Sequence, residues 1–137
     1  MNWGSRDEAL RDYFADEWTA TAISYEFWGE MFEPQVGVAH IRPEVIGEAS
    51  GQVAKAGTAN FYRFLATLRI RLRFPAGIKT STANGVLDAL ALLFRSQTIA
   101  SVGRFRVPTV SAPIREGAWV EYHMHVDFYR DLHEAQP

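Results

Sequence analysis

Cysteine is absent from all 137 residues. That excludes a disulfide framework, a thiol nucleophile and any cysteine-ligated zinc or iron–sulfur centre, and it fits a chain matured in a reducing cytoplasm. Long apolar runs are absent too. The richest, Val86 to Phe94, is far shorter than a bilayer requires and carries Asp88. The opening residues MNWGSRDEAL bear acids where a signal peptide would have a basic stretch and an apolar run, so the chain is expected to be soluble when made. Neither sign of charge dominates: Lys and Arg number 14, Asp and Glu 16, for a formal net charge of −2. A free-standing nucleic-acid binder is usually more basic. Catalytic signatures are missing as well, with no Gly-x-Ser-x-Gly elbow, phosphate-binding loop, Gly-x-Gly-x-x-Gly or His-Glu-x-x-His. The expectation is a protein that is not an enzyme and takes no cofactor.

What is present is alternation. In FYRFLATLRIRLRF, residues 61 to 74, Tyr62, Phe64, Ala66, Leu68, Ile70, Leu72 and Phe74 fall on one side, and Arg63, Thr67, Arg69, Arg71 and Arg73 on the other. Successive side chains of a strand point to opposite faces, so this period means a long, half-buried strand with a ladder of arginines on one face. Gly117 to Arg130 repeats the pattern: Val120, Tyr122, Met124, Val126 and Phe128 face one way, Glu121, His123, His125 and Asp127 the other.

The remaining elements fill in around these two. Ser5 to Glu17 reads as a helix with Ser5 and Glu8 as a capping box and Leu10, Tyr13, Phe14 and Trp18 as its apolar stripe. Thr21 to Trp28 reads as a short strand, and Val36 to Arg42 as another, stopped by Pro43. Val45 to Asn60, with Gly47, Gly51 and Gly57, reads as a flexible loop or a β-excursion. A second helix runs from Ala83 to Phe94, with Thr80, Ser81 and Thr82 as N-cap candidates and Val86, Leu87, Leu90, Leu93 and Phe94 as its buried face. Thr98 to Ala100 and Phe105 to Val110 read as a hairpin turning near Gly103, with Pro108 marking a sheet edge or bulge. The length is the natural size of one domain, 1–137. The fold class is α+β: a mostly antiparallel sheet with two helices packed on one face.

Two clusters are candidate sites. His123, His125 and Asp127, extended by Glu121 and with His40 as a candidate further ligand, offer imidazole and carboxylate donors of the kind that hold zinc, copper or iron. The plainer reading of the row is a solvated or subunit-facing polar face. Arg69, Arg71 and Arg73 offer cations for phosphates, but the even-numbered aromatics lie on the opposite face, and a nucleic-acid stacking surface needs both on one side. If the two alternating strands are neighbours, the arginines meet Glu121 and Asp127 across them, or acids on another subunit. No metal is expected to bind. Arg69, Arg71, Arg73, Glu121, His123, His125 and Asp127 are the candidate subunit or partner interface.

The run RFLATLRIRLRFPAGIKTSTANGVLDALALLF resembles the central block of small phage tail-terminator-like proteins, in which a strand ending Y-x-V-x-V-x-x-P-x-G leads into an Ala- and Leu-rich helix closed by Leu-Phe. The matching residues are Leu68, Ile70, Leu72, Pro75 and Gly77, then Leu87, Leu90, Leu93 and Phe94. The hairpin, Pro113 and the strand Trp119 to Tyr129 fit as well. The resemblance implies a structural protein of the virion, in a long-tailed phage or gene-transfer particle, assembled in the host cytoplasm. It implies a ring, usually a homohexamer, at the head-proximal end of the tail. Such a ring caps the tail tube protein, ends its polymerisation and joins the head-completion or connector protein, while DNA passes through the hole without sequence-specific binding. A conduit should not grip DNA, since each neutralised phosphate adds binding free energy, so the three arginines are expected to be paired rather than all to line the hole. The alternatives are a neck or head-completion (head–tail joining) protein and, in a different class, a metal-binding enzyme using the His123, His125 and Asp127 face.

Overall fold

The computed structural model describes residues 3–18, 24–25, 39–56 and 59–135. In chain order these form α1 (Trp3–Glu17), β1 (Ser24–Tyr25), β2 (His40–Ala56), β3 (Ala59–Pro75), α2 (Thr80–Phe94), β4 (Thr98–Ile99), β5 (Gly103–Phe105), β6 (Thr109–Val110), β7 (Ile114–Glu116) and β8 (Trp119–Ala135). The strands make one sheet in the order β1-β2-β3-β8-β5-β4, with β6 and β7 also lying against β8. Every pairing among them is antiparallel except the short parallel contact of β1 with β2. The class is α+β, dominated by strand.

Alternation decides the architecture. β3 and β8 pair without a slip from Ala59↔Ala135 to Pro75↔Trp119, so the two apolar rows coincide: Leu68 beside Val126, Ile70 beside Met124, Phe74 beside Val120. A one-residue slip would turn one row to the wrong side, so burial of this face fixes the register. Both helices close over it. Leu10, Phe14 and Trp18 of α1 and its end, with Ala83, Val86, Leu87, Leu90 and Phe94 of α2, join Leu68, Ile70, Leu72, Phe74, Met124, Val126 and Phe128 in one buried cluster. Phe94 bridges the layers, with its ring 6.3 Å from Phe14 and 5.2 Å from Phe105. The Tyr13 hydroxyl donates to the Leu93 carbonyl, tying α1 to the end of α2. Each large apolar side chain buried this way contributes about 1.5–3 kcal/mol.

The structure corrects several boundaries. Pro43 does not stop a strand. It sits within β2 opposite Ile70, and β1 pairs with His40 and Ile41 alone among the described residues. Beyond those two residues no described strand pairs with the outer side of β2, and an edge strand is where a proline is tolerated. Nor is Val45 to Asn60 a loop: β2 runs to Ala56 and β3 begins at Ala59. Its glycine punctuation marks a bulge instead. Gly47, at φ 62°, and Glu48 together face the single residue between Leu65 and Thr67. The extra residue re-aims the chain. Glu48 pairs with Arg6 of α1, which is only 4% exposed and also meets Asp7 at 2.9 Å.

The helix starts differ too. α1 begins at Trp3, which leaves Ser5 inside the helix rather than at its N-cap. α2 begins at Thr80, its cap position is Lys79 without a side-chain cap bond, and Asn84 and Gly85 are absorbed on the exposed side. The expected strand Phe105 to Val110 is two, broken at 106–108 around Pro108. The hairpin β4–β5 is real, and Gly103 at φ 136° is obligatory in it: a Cβ there would lie 2.3 Å from the Tyr129 carbonyl oxygen. Of the strand expected over Thr21 to Trp28, Ser24 and Tyr25 are described as strand and the rest lies outside the described residues, as do positions 36 to 38.

Candidate functional site

The helices cover one face of the sheet, and among the described residues the other is polar and partly exposed. Its floor is three antiparallel rows set by register. Arg73 stands between His40 and Glu121, Arg71 between Arg42 and His123, Arg69 between Glu44 and His125, and Thr67 between Ile46 and Asp127. All seven candidate interface residues therefore share one surface on two neighbouring strands. Their pairing differs from the simplest expectation. Arg73 Nε reaches Glu121 Oε1 at 3.2 Å, as alternation across the strands requires. Asp127 takes a hydrogen bond from the Thr67 hydroxyl at 2.7 Å, not from an arginine.

Arg69 and Arg71 turn the other way, to Glu44 on β2. One oxygen, Glu44 Oε1, accepts from Arg69 Nε at 2.6 Å and from its Nη2, and lies 3.3 Å from Arg71 Nη2. Burial works to raise the Glu44 carboxyl, but the hydrogen bond from Arg69 and the charges of Arg69 and Arg71 outweigh it, so the group is held below its ordinary value. Glu121 behaves alike. Burial raises it, while His123 and Arg73 together more than offset that, and its Oε2 lies 3.3 Å from His123 Nε2. Farther along, Arg63 forms a two-pronged pair with Asp131, at 2.8 and 3.1 Å. The Arg63 guanidinium also lies 4.6 Å from the centroid of Tyr129, whose ring Arg106 approaches at 5.4 Å.

The histidine row stands among cations. Among the described residues no three His, Asp or Glu side chains converge to hold an ion. The physical reason lies in the register: His123 and His125 stand opposite Arg71 and Arg69, and two guanidinium groups beside a dication are repulsive. Phe74 of β3 lies on the helix-covered face, 1% exposed and away from the arginines.

The family described as phage tail terminator protein matches residues 7–128. The chain belongs to this family. Fifteen solved chains also match. One is 15% identical with a TM-score of 0.57 over 96% of each chain, which supports the shared fold. No curated protein matches at the same level of significance. Membership in the tail terminator family makes this a structural protein of the phage tail.

Two residues of this terminator's polar face escaped the sequence reading, Arg42 and Glu44. The signal was there: His40, Arg42, Glu44 and Ile46 alternate with Ile41, Pro43 and Val45 across the proline. Ending the strand at Pro43 hid the carboxylate that organises the arginine ladder.

Proposed function

We propose that residues 1–137 act as one terminator domain whose copies form a ring, a homohexamer, on the head-proximal end of the tail tube. The ring ends tube polymerisation and offers a joint to the head-completion or connector protein, while DNA passes through without being read. The protein is assembled in the host cytoplasm. The observation that carries this reading is the family match over residues 7–128. The geometry supports it, because a ring needs two different patches on each subunit and this sheet has one closed face and one open polar face. Arg69, Arg71, Arg73, Glu121, His123, His125 and Asp127 are assigned to a subunit or partner contact on that open face. The pairing of Arg69 and Arg73 with carboxylates of their own chain lowers their pull on phosphates, as a conduit requires.

The test is to add the purified chain to tubes of the cognate tube protein while they grow, and to image them by negative stain. Capped ends carrying a ring and a halt in elongation are the expected result. Tubes that elongate unchecked with bare ends overturn the reading. Occupancy of the head connector instead of the tube end transfers the assignment to head completion.

A further inference from the structure

The centre of the polar face carries more cation than the described residues neutralise. Arg42, Arg69 and Arg71 surround Glu44, and Glu44 is the carboxylate that pairs there. The pairs Arg73–Glu121 and Arg63–Asp131 lie to either side and are balanced. Arg42 is exposed, and no described carboxylate lies within ion-pair distance of it. Arg71 is held only at 3.3 Å, is 38% exposed, and its Nε finds no acceptor among the described residues. A positive patch thus sits on the side of the sheet away from the helices.

The opposite side of the molecule carries the complement. Leu10, Phe14 and Trp18 turn α1 toward the core. Glu8, Asp12 and Asp16, each four residues apart, form an exposed stripe on the reverse of the helix. Within α1 five carboxylates face two arginines, and one of those, Arg6, is buried.

We infer that the Arg42–Arg71 patch of one copy receives the Glu8–Asp12–Asp16 stripe of the next copy, head to tail. This rests on the ring reading and names the contact within it. Two unlike patches on opposite sides are what a closing ring uses, and opposite potentials fix the register of such a contact. A duplex would suit the patch less well: Glu121, Asp127 and Asp131 of β8 border it with negative charge along one side, and the chain as a whole carries −2.

The test is sedimentation equilibrium of the whole chain at low and high NaCl. Wild type is expected to self-associate at low salt and to dissociate as salt rises. Arg42→Glu and the pair Asp12→Asn with Asp16→Asn are each expected to weaken association by about tenfold or more. Mixed in equal amounts, they are expected to recover wild-type affinity but stop at one-to-one pairs, because each supplies the face the other lacks. Should Arg42→Glu misfold, Arg42→Gln keeps the stem and removes the charge. A wild type that stays monomeric at low salt, variants that associate like wild type, or a mixture that shows no recovery overturns this contact. So does an Arg42→Glu chain whose sole defect is loss of duplex DNA retention. The tube-capping result is read separately, so the ring reading can stand while this contact falls.

Discussion

Ile70 and Arg71 are consecutive, yet they answer to different physics. Ile70 is fully buried under the helices beside Met124, while Arg71 stands on the open face between Arg42 and His123. The covered face is held by area and close packing, which tolerate no gap. The open face is held by a few shared charges that water and salt reach, and such pairs add little unless they form a network. One sheet therefore keeps most of its stability on one side and leaves the other polar and partly exposed.

The sharpest way to break that division is to cut into the covered face. Ile70→Ala is expected to cost about 4 kcal/mol, the transfer term plus a cavity that the interleaved rows cannot fill. Urea unfolding measures it, and a loss below about 1 kcal/mol would mean that the helices do not close over the sheet. On the open face the largest effect falls on Glu44, a carboxylate shared by two arginines. Glu44→Gln is expected to cost about 1 kcal/mol, the value of a charge-assisted bond discounted for partial exposure.

Acid dependence separates the faces further. Glu44 and Glu121 are both held below the ordinary 4.5 in the fold. A depressed carboxyl contributes stability that is full above its unfolded value and is lost as pH falls through the folded one. The wild-type urea midpoint should therefore drop as pH falls below about 4.5, and the drop should be smaller in Glu44→Gln. An equal drop in both would remove Glu44 from the account, whereas Ile70→Ala should leave the pH profile parallel to wild type.

How far this division was legible differs by element. Period two in β3 and β8 declared both faces, because each strand has one side buried and one side wet along its length. The matching of the two rows followed once the strands were taken as neighbours. The partner of Arg69 and Arg71 was not legible, because Pro43 looked like a stop, and only the sheet shows that it lies within a strand with no described partner on its outer side there. The region after it misled for a related reason. Gly47 marks a bulge that shifts the alternation by one and sends Glu48 to Arg6, whereas a sequence offers glycine only as a sign of interruption. At α1 the capping residues pointed to Ser5, but the observed helix includes two residues before it, so the local capping signal did not set the boundary.

The smallest effect belongs to the outer rim of the polar face, and it tests whether the pairs there are structural or simply solvated. Arg63 and Asp131 are 36% and 53% exposed although their geometry is two-pronged. Salt screens an exposed pair, and ordering two long side chains opposes the Coulomb gain. Arg63→Ala also removes a guanidinium from the Tyr129 ring, but Arg106 remains over it at 5.4 Å. The expected outcome is a urea midpoint slightly lower than wild type at low salt and indistinguishable from it at high salt. A loss as large as that of Glu44→Gln, persisting in high salt, would show that the rim is a bound network rather than a wet border. The contrast between the two faces would then end at the arginine patch and not at the edge of the core.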